Sequence, residues 1–236
     1  MKGISFIERY SRADLLRGMI NGFSPVFNPP DTLLANSSFT SFLTSINTLN
    51  GLIATQEGNF STNVSTRTSL VRLLKKRGTQ IVGRLKSNEA WGAEWGAAKL
   101  VVDRLRGVRP PKGKAAAGKL FPAASTKRGK GGQAYAETAQ LFEQLMSIAA
   151  GAPNWSLGVP VDISPTTLAT LLTQLKTLNT SIPTLQSTLK TNREKRQALY
   201  TGPKSLQVKF QALKNAVKGQ YGPDSAEALS VRGVKW

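Results

Sequence analysis

From Phe39 onward, apolar residues recur every third or fourth position: Phe39, Phe42, Leu43, Ile46, Leu49, Ile53 and Phe60. That spacing lines one face of an α-helix. Ser, Thr and Asn fill the other faces, and no charge appears before Glu57. A second stripe, Leu70, Leu74, Ile81 and Leu85, predicts a second helix, whose remaining faces carry Arg67, Arg72, Lys75, Lys76, Arg77, Arg84 and Lys86. A turn between the two stripes would make a helical hairpin. Trp91, Trp95, Val102 and Leu105 then suggest one more helix.

The second half of the chain has the same design. Ser164-Pro165 reads as a helix start, with Ser as N-cap and Pro at the first helical position. Leu168, Leu171, Leu172, Leu175, Leu178, Ile182, Leu185 and Leu189 follow as a stripe, with Pro183 expected to kink it. A further helix is expected from about Asn192. It is interrupted at Gly202-Pro203, resumes with Leu206, Phe210, Leu213 and Val217, and ends at Tyr221-Gly222-Pro223.

At an offset of 129, Thr48-Leu49-Asn50 falls on Thr177-Leu178-Asn179, and Thr62-Asn63, Arg67 and Leu70 fall on Thr191-Asn192, Arg196 and Leu199. An internal duplication explains this, and so do two hairpins made alike by Leu and Thr bias. Two hairpins that cannot bury their stripes alone predict an all-α four-helix bundle. Leu49, Ile53, Leu74, Ile81, Leu175, Leu178, Phe210 and Leu213 would share its core. The expected segments are an N-terminal arm over 1–35, hairpin 1 over 36–98 and a basic Gly/Lys/Pro-rich linker over 99–134. An amphipathic helix and loop over 135–163, hairpin 2 over 164–222 and a C-terminal tail over 223–236 complete the chain. Phe23, Val26 and Phe27, in the breaker-rich part of the arm, need burial on the protein's own core or on a neighbouring subunit.

Charge changes the picture. The 236 residues include 32 Lys and Arg against 13 Asp and Glu, a net charge of +19, with neither His nor Cys. Disulfides, thiolate or imidazole metal ligands and Ser-His-Asp triads are excluded. No Gly-rich phosphate loop and no paired catalytic carboxylates stand out, so neither catalysis, a metal nor a cofactor is expected. The first residues lack a hydrophobic leader core, and no run of about 18 apolar residues occurs. The expectation is a cytoplasmic protein without a membrane span, with export lacking a classical signal peptide left open.

Like charges at this density repel unless an anion neutralises them. The candidate polyanion-binding residues are Arg72, Lys75, Lys76 and Arg77 in the first half and Lys204, Lys209 and Lys214 in the second. The linker adds Arg109, Lys112, Lys114, Lys119, Lys127, Arg128 and Lys130. Their setting suits contact with a phosphate backbone rather than base reading. Trp91, Trp95, Tyr135 and Trp155 are read as core or interface anchors rather than stacking platforms. The alternative is a structural subunit of a homomeric filament, shell or virion-like assembly, with Phe23, Phe27 and Trp236 as connectors.

Val217-Lys218-Gly219-Gln220-Tyr221-Gly222-Pro223-Asp224-Ser225 resembles the C-terminal tail of small uncharacterised bacterial four-helix-bundle proteins, which end in aromatic-Gly-x-Asp/Asn-Ser. The resemblance implies the bundle fold and leaves function untouched. This chain departs from it by the long basic central insert.

Overall fold

The computed structural model describes residues 5–108 and 131–236. The protein is all-α, and no strand occurs among the described residues. The helices are α1 (Phe6–Asn21), α2 (Asn36–Lys86), α3 (Gly92–Leu105), α4 (Gly131–Gly151), α5 (Pro165–Thr201), α6 (Leu206–Tyr221) and α7 (Ala226–Gly233). Single 3-10 turns at Thr32–Leu34 and Val161–Ile163 lead into α2 and α5.

The turn expected between the first two stripes is absent, because α2 is one helix of 51 residues. Phe39, Ile46, Ile53, Phe60, Arg67, Leu74 and Ile81 lie seven residues apart, and all are buried or half-buried. A seven-residue repeat keeps one seam on one side of a helix for as long as it lasts. The polar run Ser61–Thr66 holds no Pro, and the Thr68 hydroxyl just beyond it donates to the Val64 carbonyl at 2.9 Å. Nothing there stops the helix. Likewise α5 does not end near Asn192. Leu168, Leu175, Ile182, Leu189 and Arg196 carry the same repeat, with Pro183 on the exposed side. The chain breaks only at Gly202-Pro203, after which the Ser205 hydroxyl caps α6 by accepting from the Val208 N–H. Residues 99–105, assigned to the linker from sequence, belong to α3 and bury Val101, Val102 and Leu105.

The two halves correspond element by element. The 3-10 turns, the starts of α2 and α5, and the seven-residue repeats of both helices all lie 129 residues apart. Ala13, Leu16 and Ile20 of α1 match Phe142, Leu145 and Ala149 of α4 at that spacing, and all six are buried. Beyond the break the register moves by three. Leu206, Phe210, Leu213 and Val217 of α6 lie 132 residues after Leu74, Gly78, Ile81 and Leu85, all buried. Ala98 and Val101 of α3 match Ala228 and Val231 of α7 at 130. The repeated element is therefore helix, long helix, helix rather than a hairpin.

Chain contacts divide the protein into two compact units, and the divisions fall inside α2 and α5. The expected single shared core is replaced by two clusters. Unit 1 comprises residues 1–58 and 186–236, and its core gathers Leu16 of α1, Ile46 of α2, Tyr200 of α5, Phe210 and Leu213 of α6, and Val231 of α7. Unit 2 comprises residues 59–185, with Leu74 and Ile81 of α2, Val101 of α3, Phe142 and Leu145 of α4, and Leu175 of α5 in its core. Leu49 and Leu178, expected in the core, are only half-buried. Each unit thus takes its first helix from one repeat and its last from the other, cutting across the linear segments suggested by sequence.

Polar groups pin the register inside each unit. In unit 1 Asn50 Nδ2 donates to Tyr200 Oη at 3.1 Å, and Asn192 Nδ2 donates to Gln56 Oε1 at 2.9 Å. In unit 2 Asn179 Nδ2 donates to the Tyr135 carbonyl at 3.1 Å. Asn192 is buried, and an amide donor that is paired in only one alignment penalises every slipped one.

Two outcomes follow. Replacing Leu175 with Ala should destabilise the protein by about 2–5 kcal/mol in denaturant melts, as for a fully buried Leu. Cutting the full chain at a protease site placed within residues 109–130 should leave the two fragments co-eluting under native conditions. Separation without denaturant would contradict the shared composition of the units.

Candidate nucleic-acid interface

The outer side of α2 in unit 2 gathers four basic residues that form no ion pair among the described residues. A helix turns about 100° per residue. Arg72, Lys75, Lys76 and Lys86 then fall within an arc of about 100°, opposite Leu74, Ile81 and Leu85. Arg72, Lys76 and Lys86 are exposed and Lys75 is half-buried. No acidic residue occurs between Glu57 and Glu89, so nothing on this stretch neutralises them. Among the described residues, none forms an ion pair with these four. The row covers about 21 Å from Arg72 to Lys86 at 1.5 Å per residue.

Between the cations the face is low. Thr79 turns its hydroxyl back to the Lys75 carbonyl at 3.1 Å, and Gly83 follows. A Cβ at Gly83 would meet nothing within 4 Å, whereas one at Gly78 would sit 3.2 Å from methyls of Leu145 and Val102. Packing explains Gly78. Gly83 weakens a helix by about 1 kcal/mol relative to Ala without any packing requirement. It leaves the α2 backbone bare between Lys76 and Lys86, as Gly51 and Gly58 do earlier in the same helix.

Other sequence candidates are occupied within their own unit. Arg77 pairs with Asp162 and also donates to Gln80 Oε1 at 2.9 Å. Lys209 reaches the Leu33 carbonyl at 3.4 Å and sits over the Phe42 ring. Lys214 donates to the carbonyls of Val234 at 2.7 Å and Arg232 at 3.3 Å, where α7 ends. A cation there complements the free carbonyls of a helix C-terminus. Burial, and then the neighbouring Lys218 charge, push the Lys214 ammonium below its ordinary range. Lys204 is exposed. Arg109, Lys112, Lys114, Lys119, Lys127, Arg128 and Lys130 lie outside the described residues.

The assembly candidates are likewise engaged in unit 1. Phe27 is in its core, Phe23 packs edge-on to Tyr221 at 5.5 Å, and Trp236 lies 5.1 Å from Phe210 with the Arg9 guanidinium above it. Gln220 ties down the arm by donating to the Val26 carbonyl at 3.0 Å and accepting from Asn28 N–H at 2.8 Å. The tail motif Tyr221–Ser225 ends α6 and starts α7, with the Ser225 hydroxyl accepting from Ala228 N–H at 3.0 Å. Trp91 and Trp155 are buried in unit 2, and Trp95 is half-buried with Lys99 over its ring.

Arg67, counted from sequence among surface charges, and its counterpart Arg196 belong to the core seams. Arg67 is buried with its guanidinium 3.8 Å from the Tyr135 ring centroid. Arg196 stands 4.6 Å from the Phe6 ring. Both pairs are related by 129 residues, so each unit contains the same cation-over-ring contact. An apolar stem in the seam and a guanidinium on an aromatic face let Arg fill a hydrophobic position. The signal was their place in the seven-residue repeat. Among the described residues no three carboxylates converge to hold a metal, and no helix is long and apolar enough to cross a membrane.

Because Lys214 is spent on α7, Lys214→Gln should lower the melting temperature while leaving the salt dependence of polyanion binding unchanged. Melting curves and a binding series on the same variant test both halves of that statement.

Set against known proteins, the chain matches no family model, no curated protein and no solved structure.

Proposed function

We propose that the protein is a non-catalytic binder of nucleic acid that holds the phosphate backbone through the outer face of α2. The observation that carries this reading is the row Arg72, Lys75, Lys76 and Lys86, unpaired on a stretch without acids in a chain of net charge +19. Neutralising phosphates releases condensed counterions, which is the main source of sequence-independent affinity. A helix face bearing Lys and Arg around Thr and Gly has charge to offer but few groups to read base edges, so sequence preference should be weak. The basic linker, with seven cations between residues 107 and 133 and no acid, adds to the same attraction. The self-assembly reading has less support, since Phe27 and Trp236 are already covered within unit 1.

Filter binding of duplex DNA, duplex RNA and heparin across a salt series tests the reading. For duplex DNA, log affinity should fall linearly with log salt, by about 0.9 per phosphate contacted. The variant Arg72→Gln/Lys75→Gln/Lys76→Gln/Lys86→Gln should flatten that slope by up to about 3–4. Neutralising Lys112, Lys114, Lys119, Lys127, Arg128 and Lys130 should flatten it independently. Heparin bound with the same slope as DNA would extend the partner to polyanions in general. No binding at low salt, or a slope that neither variant changes, would overturn the proposal and leave the assembly subunit as the better reading.

A further inference from the structure

We infer that the chain carries two backbone-binding faces of unequal strength, one in each unit, and so binds two nucleic-acid segments. The inference rests on the reading of α2 above and comes from comparing that face with its counterpart on α6. The buried positions of α6 follow those of α2 at a spacing of 132 residues, which fixes the register of the outer face as well. On the helix, Lys75, Lys76, Thr79, Gly83 and Lys86 then correspond to Gln207, Val208, Gln211, Asn215 and Lys218, while Lys204, the counterpart of Arg72 at the same spacing, lies in the turn before α6. All six counterparts are exposed.

The end positions stay cationic in both repeats. Lys204 stands just before the Ser205 cap, and Lys218 lies in the last turn of α6. As with Arg72 and Lys86, fourteen residues separate them, and neither has an acidic partner among the described residues. The chain holds no Asp or Glu between Glu194 and Asp224, the same acid-free setting as around α2. The middle positions have lost their charge, Lys75 and Lys76 giving way to Gln207 and Val208. In place of the Thr79 and Gly83 floor, Gln211 and Asn215 face outward, joined by a hydrogen bond of 3.3 Å. Gln207, Val208, Gln211 and Asn215 line a shallow, open groove along α6.

Packing keeps the inner side of both helices alike, but it places no demand on exposed end cations. A cation in the last turn, Lys86 or Lys218, also complements the helix C-terminus, whereas the second exposed cation fourteen residues earlier, Arg72 or Lys204, has no such role, and charge complementarity to a phosphate backbone accounts for it. Two phosphate contacts on α6 against four on α2 make the α6 face weaker by roughly ten- to a hundredfold in 0.1 M salt, since each contact contributes about 0.9 log units per decade of salt. Where both segments belong to one nucleic acid long enough to reach both faces, binding of the first raises the effective concentration of the second.

The experiment is a titration of the full chain with a 16-base-pair DNA duplex at low salt, in the background with the six linker charges neutralised so that the linker does not count as a face. The expected result is two duplexes per chain in a tight and a weak phase. Lys204→Gln/Lys218→Gln should abolish only the weak phase, and the fourfold α2 variant only the tight one. Gln207→Lys/Val208→Lys should strengthen the weak phase at least tenfold. Circular dichroism and melting curves confirm that these exposed changes leave the fold intact. Saturation at one duplex per chain, or a weak phase indifferent to both α6 variants, overturns the second face while leaving the first. Absence of any binding overturns the parent reading itself.

Discussion

The seven-residue repeat along α2 and α5 is the constraint on which the rest depends. A seam of Phe, Ile and Leu that never changes side gives the chain no reason to turn, and Ser, Thr and Asn on the other faces supply no breaker. Each long helix therefore runs through two units, its beginning packed in one core and its end in the other. The short helices follow from this. α1 and α7 cover the seam in unit 1, and α3 and α4 cover it in unit 2.

The seam also decides which charges are free. Arg67 and Arg196 fall on it and are drawn inward onto Tyr135 and Phe6. Arg77 and Lys214 fall at its edge and are taken up by Asp162 and by the end of α7. Cations diametrically across the helix, such as Arg72 and Lys76, form no ion pair among the described residues. A count of basic residues overstates the charge available to a partner, and the helical register corrects it.

Much of this was legible in the sequence. The stripes located the long helices, Ser164-Pro165 marked the start of α5, and Tyr221-Gly222-Pro223 marked the end of α6. The offset of 129 was visible in a handful of identities. The continuity of α2 was not, because the neutral polar run Ser61–Thr66 is compatible with turn and helix alike and only the unbroken spacing of Phe60, Arg67 and Leu74 decides it. The division into units was hidden for a different reason. Periodicity tells which side of a helix is buried, and it is silent on which partner buries it. The basic face of α2 was partly legible: Arg72, Lys75 and Lys76 were singled out, while Lys86 and the open space at Gly83 needed the helix register.

The composition of unit 1 has a consequence for synthesis. Unit 2 is built from one continuous stretch, residues 59–185, and can close while the ribosome is still working. Unit 1 needs residues 1–58 together with 186–236, so α1 and the first turns of α2 wait until that second stretch has been made. At about 5–20 residues per second the wait for those 178 residues is roughly 9–36 s. During it Leu16, Phe39 and Ile46 have no permanent cover. The Ser- and Thr-rich faces of early α2 then keep that part of the waiting segment hydrated.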